Sequence, residues 1–129
     1  MNRVLVIESD ITTRRQLEEV LARGGFETIA AADAAAAIAV LETAHPPMLV
    51  VMNWDVPGAD GPGMLRWLRG RPSGSAAWVL MLTGRDHRED EIAALDAGAD
   101  DFVTKPVDTD MLRAHLRAGA RRLAPPRAA

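Results

Sequence analysis

At 129 residues, 48% of them hydrophobic and 26% charged, the chain has the length of one domain with a sizeable core and no room for a second. A formal net charge of −3 gives no general electrostatic reason to expect a nucleic acid or a membrane surface as partner. The absence of cysteine excludes disulfides and thiolate metal sites. The opening Met1-Asn2-Arg3, followed by a short apolar run, lacks the long apolar region and cleavage site of a signal peptide, so a cytoplasmic location is expected.

Val4 to Ile7 is a continuous apolar run ending in Glu8-Ser9-Asp10, which predicts a buried strand with polar residues at its tip. Thr12 or Thr13 is placed to cap a helix carrying Leu17, Val20 and Leu21, closed by Gly24-Gly25; Asp10 reads as a cap or a solvated turn acid. A short strand over Glu27–Ala30 follows. Asp33 is placed to cap an alanine-rich helix with Ile38 and Leu41 on one face, expected to end near His45-Pro46-Pro47. Met48 to Met52 is the strongest apolar run, long enough for a strand buried on both faces, and it stops at Asn53 before a Pro57-Gly58 turn.

Asp60-Gly61 opens a helix with Met64, Leu65 and Leu68, and Gly70 to Gly74 reads as a loop. Trp78 to Leu82 is the fourth strand, finishing at Thr83-Gly84. Asp86 and Glu89 have capping-box spacing ahead of a helix with Ile92 and Leu95, stopped by Gly98. Phe102 to Thr104 is the fifth strand, finishing at Lys105-Pro106, and Asp108 caps a last helix with Leu112 and Leu116. Residues 123–129 read as a tail or the start of a linker, leaving 1–122 as the domain. Five strands alternating with five helices, each connection long enough for a crossover, predict a doubly wound (βα)5 domain of the α/β class with a parallel sheet covered on both faces.

Several spaced motifs together resemble the receiver domain of two-component response regulators: Val4 to Asp10 its first strand and acidic pair, Met48 to Pro57 its acceptor strand and loop, Leu82-Thr83-Gly84 its switch threonine segment, and Gly98 to Pro106 its fifth strand and lysine. The resemblance covers residues 4 to about 122 and implies the flavodoxin-like strand order 2-1-3-4-5, in which the carboxyl ends of the strands gather the site. It implies that Glu8 and Ser9 stand at the acidic pair that holds a divalent cation and Asn53 at the phosphoryl acceptor. Asp55 would lend its carbonyl oxygen to the metal. Thr83 and Phe102 would be the switch pair, and Lys105, the single lysine of the chain, the phosphate-binding residue.

Ser9 and Asn53 depart from that pattern. A carboxylate can take a phosphoryl group from an acyl phosphate or a phosphohistidine, whereas a carboxamide is not an effective nucleophile at neutral pH. Magnesium prefers oxygen ligands that include carboxylates, and only Glu8 and the carbonyl position at Asp55 are left to offer any, so it should bind weakly or not at all. Lys105 is expected to pair with Glu8 or Asn53, and Thr83 and Phe102 to be structural.

The resulting expectation is a degenerate receiver, a non-enzymatic signalling module with no cofactor that works through contacts with a histidine kinase, an output domain or another regulator. Two other readings are an active receiver using a displaced acceptor, Asp55 or Glu8, and a small-molecule sensor using the vacated pocket. Weak, salt-sensitive self-association is expected through the last two helices and the fifth strand, with Asp100, Asp101, Arg113 and Arg117 supplying charge and His115 standing where many dimerising relatives have arginine. Arg113, Arg117, Arg121 and Arg122 read as a solvated helix face rather than a nucleic-acid surface, and His45, His87 and His115 show no metal spacing.

Overall fold

The computed structural model describes residues 2–123. The strands are β1 (Arg3–Ile7), β2 (Glu27–Ala31), β3 (Leu49–Met52), β4 (Asp55–Val56), β5 (Ala59–Asp60), β6 (Trp78–Thr83) and β7 (Asp101–Thr104). The helices are α1 (Ile11–Arg23), α2 (Ala34–Leu41), α3 (Gly61–Arg69), α4 (Arg88–Ala97) and α5 (Thr109–Leu123). Five strands form one parallel sheet in the order β2-β1-β3-β6-β7, which is the expected 2-1-3-4-5 once the small antiparallel pair β4–β5 is set aside. That hairpin folds around Pro57 and Gly58, where φ is +93°, and it replaces what reads in the sequence as a simple turn. Of the expected tail, Leu123 is the last residue of α5, and residues 124–129 lie outside the described residues.

Strand alternation divides the apolar runs between two cores. Leu5, Ile7, Val50, Met52, Val79 and Met81 face the side covered by α2, α3 and α4. Val4, Val6, Leu49, Val51, Leu80 and Leu82 face Leu17 and Leu21 of α1 and Leu112 and Leu116 of α5. Each fully buried Leu, Ile or Val contributes on the order of 1.5–3 kcal/mol relative to exposure, which is why two-sided burial dictates unbroken apolar strands here. The alanine run is explained by packing: Ala34 and Ala37 are buried against the sheet, where larger side chains would hold α2 off.

The helix ends both confirm and correct the sequence reading. Asp33, Asp60 and Asp108 accept hydrogen bonds from backbone N–H groups in the first turns of α2, α3 and α5. For α1 the cap is Asp10, not Thr12 or Thr13: its carboxylate accepts from the Thr13 N–H at 2.8 Å and from the Thr13 hydroxyl at 2.7 Å. Thr13 thus donates to the cap, since the helix starts at Ile11. The capping box at Asp86 and Glu89 does not form. His87 occupies the cap position without a side-chain bond, and Glu89, Asp90 and Glu91 in the first turn offset the helix dipole instead. α2 ends at Leu41, short of the prolines, because Thr43 donates to the Val40 carbonyl from both its N–H and its hydroxyl.

Candidate functional site

Parallel register carries the tips of β1, β3, β6 and β7 to one edge of the sheet, with Ile7 opposite Met52, Met52 opposite Met81 and Met81 opposite Phe102. The polar residues that follow these strands therefore meet although they come from four separate stretches of chain. Glu8 is only 2% exposed and is the one buried carboxylate among the described residues. Lys105 Nζ reaches its Oε1 at 2.7 Å, and Asn53 Nδ2 donates to its Oε2 at 3.0 Å. The Asn53 carbonyl oxygen accepts from the Trp54 N–H at 2.8 Å, which fixes the amide orientation through both of its ends. Burying a carboxylate costs several kcal/mol unless it is paired and hydrogen-bonded, and here one cation and one neutral amide meet that requirement.

Lys105 also joins the site through its backbone, donating its N–H to the Thr83 carbonyl at 2.8 Å. Thr83 is 1% exposed, and its hydroxyl accepts from the Arg85 N–H at 3.2 Å. Arg85 then crosses to the loop after β3: its Nη2 lies 3.1 Å from Asp55 Oδ1 and its guanidinium 4.9 Å from the centroid of the Trp54 ring. The contacts close a circuit that runs Asn53, Glu8, Lys105, Thr83, Arg85, Trp54 and back to Asn53. Gly61 makes the tight path of this loop possible. Its N–H donates to the Trp54 carbonyl at 2.7 Å, and a Cβ there would stand 3.0 Å from Trp54 Cα and 2.9 Å from Met81 Cε.

The structure brings Glu8, Asn53, Thr83 and Lys105 together and leaves Ser9, Asp55 and Phe102 outside their circle. Ser9 is exposed on the rim of a shallow depression shared with Asp55 and Asp60. The Asp55 side chain is 71% exposed and turned to Arg85. Phe102 is half-buried against the core beneath α2, α3 and α4.

A divalent cation needs several oxygen ligands at once. Glu8 has both oxygens engaged by Lys105 and Asn53, and Ser9 and Asn53 are neutral, so the side chains here leave magnesium no free carboxylate and the donor set is a poor fit for it. Among the described residues no three His, Asp or Glu side chains gather as a metal cluster.

Arg85 is the site residue that the sequence reading missed. The sequence carries no local signal for it: only the β3–β6 register sets the residues after Asn53 beside those after Leu82, so that Arg85 meets Trp54 and Asp55. Two of the residues expected to charge the self-association face, Asp100 and Arg113, are engaged within the domain. Asp100 accepts from the Val79 N–H and from Arg69 on the opposite edge of the sheet, and Arg113 packs its aliphatic stem near Gly24 beside α1. Asp101 does lie with α5, pairing with His115 Nδ1 at 2.6 Å.

The strand order and the position of the site at the strand tips define a doubly wound α/β domain with its chemistry at one sheet edge. The family model of the response regulator receiver domain matches residues 4–117, and the chain belongs to that family, the receivers of two-component systems. It is 33% identical over 123 residues to the phosphate regulon transcriptional regulatory protein PhoB of Escherichia coli, covering 95% of this chain and 53% of that protein. It is 38% identical over 122 residues to the transcriptional regulatory protein KdpE of Mycobacterium tuberculosis, covering 95% and 52%. The chain thus spans about half the length of these relatives. Among solved structures, the receiver domain of Francisella response regulator 1452 superposes with a TM-score of 0.88 at 27% identity, covering 96% of this chain and all of that one. The signal receiver domain of a histidine kinase from Syntrophus aciditrophicus superposes at 0.83 with 29% identity, covering 95% and 90%. No helix among the described residues is long and apolar enough to cross a membrane.

Proposed function

We propose that this receiver does not transfer phosphoryl groups and signals through protein contacts, as a pseudo-receiver. The observation that carries the reading is the engagement of both Glu8 carboxylate oxygens by Lys105 and Asn53. The acceptor position offers an amide that is already donating, and the lysine that would meet a phosphoryl oxygen is spent on an internal carboxylate. On this reading the domain is not an enzyme, has weak or no use for magnesium, and keeps Thr83 and Phe102 as structural residues.

Its partners are the signalling proteins of a two-component system: a histidine kinase, an output domain or another regulator. Contacts are assigned to the face of α4, β7 and α5, where Ile92 is 45% exposed, Leu95 41% and Met111 52%. Because Asp101 is satisfied within the chain by His115, self-association through this face is weak and salt-sensitive. Sedimentation at low and high salt checks this, and a tight dimer at high salt would contradict it.

Intact mass after incubation with acetyl phosphate and magnesium tests the central claim. Wild type gains no phosphoryl mass. Asn53→Asp reacts slowly, because the second metal-holding acid is still absent at Ser9, and Asn53→Asp with Ser9→Asp reacts faster. The single variant also places two carboxylates against each other where the amide now donates at 3.0 Å, so without magnesium it loses on the order of 1–2 kcal/mol of stability. Phosphorylation of wild type as fast as the double variant would refute the proposal, and mapping the added mass to Asp55 would establish a displaced acceptor instead.

A further inference from the structure

We propose that Arg85 is a strap that holds the loop after β3 to the loop between β6 and α4 without any bound group, so that the start of α4 keeps one position. Three contacts of one residue carry the inference. The Arg85 N–H is given to the Thr83 hydroxyl at 3.2 Å, its guanidinium lies over the Trp54 ring at 4.9 Å, and its Nη2 meets Asp55 at 3.1 Å. The backbone and the side chain of Arg85 thereby grip different strand tips.

The platform beneath the guanidinium is itself fixed. Trp54 donates its N–H to the Asn53 side chain at 2.8 Å and accepts the Gly61 N–H on its carbonyl at 2.7 Å, so the ring sits on a backbone anchored at both ends. Asp55 belongs to the β4–β5 hairpin and stands opposite Asp60, the cap of α3. A pull on Arg85 is therefore transmitted to the start of α3 on one side and, through Thr83 and the loop to His87, to the start of α4 on the other. Since α4 begins without a side-chain cap, its first turn depends on what holds the preceding loop, and Arg85 is the residue of that loop with a partner on another strand tip.

The strap deepens the pseudo-receiver reading by supplying what would keep the α4 face in one state, and it rests on that reading only for this consequence. Arg85 is 43% exposed and Asp55 71%, so the ion pair is partly screened and the stacking contact on Trp54 contributes alongside it. The strap is accordingly modest, reporting as protection from local opening rather than as global stability.

Amide hydrogen exchange on the full chain tests it, with wild type, Arg85→Ala, Asp55→Ala, the double variant and Arg85→Lys. Arg85→Ala should raise exchange about three- to tenfold in both segments, 54–60 and 84–90, while amides of β1, β3 and β6 stay as in wild type. Asp55→Ala should give a smaller rise in the same two segments, and the double variant no more than Arg85→Ala alone. Arg85→Lys, which keeps the charge and loses the planar stack, should fall between wild type and Arg85→Ala. A rise confined to 84–90, no rise at all, or additive effects in the double variant would each overturn the strap. Phosphoryl uptake by wild type would defeat the pseudo-receiver reading, whereas these exchange rates are read on the unmodified chain with no phosphoryl donor present, so the two failures are distinguishable.

Discussion

The two edges of the central sheet gather polar groups in opposite ways. At the amino-terminal edge Arg69 donates from Nε and Nη2 to the Gly98 carbonyl at 3.0 and 2.6 Å, from Nη1 to the carbonyls of Gly74 and Ala77 at 2.9 and 2.5 Å, and to Asp100 at 2.8 Å. Nearly all its acceptors are backbone, so the knot ties the end of α3, the following loop and the turn before β7 to one another. Gly98 has φ of +122° and a Cβ there would lie 2.7 Å from Arg69 Cγ, so both its conformation and its neighbour exclude a side chain. At the carboxyl-terminal edge the contacts on the buried Glu8 are between side chains, Lys105 Nζ on one carboxylate oxygen and Asn53 Nδ2 on the other. A knot of backbone acceptors is inseparable from the fold, whereas a ring of side chains can be exchanged residue by residue while the sheet beneath it stays. A substitution among the side chains on Glu8 should therefore leave the sheet intact, whereas a substitution of Arg69 strikes the fold itself.

The comparison is broken most severely at Arg69. Arg69→Ala removes the partner of three carbonyls and of Asp100, whose side chain is 33% exposed, and should lower unfolding free energy by about 3 kcal/mol in urea titrations. The strand-tip ring is spared in the fraction that stays folded, so Trp54 should keep its wild-type emission.

Lys105→Ala comes next. It strips the buried Glu8 of its cation and leaves only the Asn53 amide, at a cost of about 2 kcal/mol, which allows for the 29% exposure of the lysine side chain. Adding Glu8→Gln should recover part of that loss, because a neutral amide no longer needs a cation; a purely additive double variant would show that the pair is not coupled.

The smallest effect sharpens the contrast at the start of α1. The Asp10 carboxyl is held below its ordinary value of 3.8, chiefly by the hydrogen bond from the Thr13 side chain and then by that from the Thr13 backbone N–H. A depressed folded-state value means that the cap contributes fully above the ordinary value and is lost as pH falls through the lower one. Exchange at the Thr13 amide followed below pH 4 should show this acid loss, and Asp10→Asn should remove the pH dependence while keeping the cap.

What the sequence by itself determined is what depends on neighbours along the chain. Unbroken apolar runs set β1, β3 and β6 as strands covered on both faces, aspartates set the starts of α2, α3 and α5, and the spaced motifs place Glu8, Asn53, Thr83 and Lys105 at strand tips. The expected pairing of Lys105 with Glu8 or Asn53 was narrowed by the tertiary structure to Glu8, a residue 97 positions away, because only the parallel register of β1, β3, β6 and β7 sets the length of that reach. The Arg85 strap, the Arg69 knot and the β4–β5 hairpin were decided there too. Each depends on which backbone or side chain comes to lie across a gap between strands, and an arginine carries the same local signal whether it ends in solvent, over a tryptophan ring or among buried carbonyls.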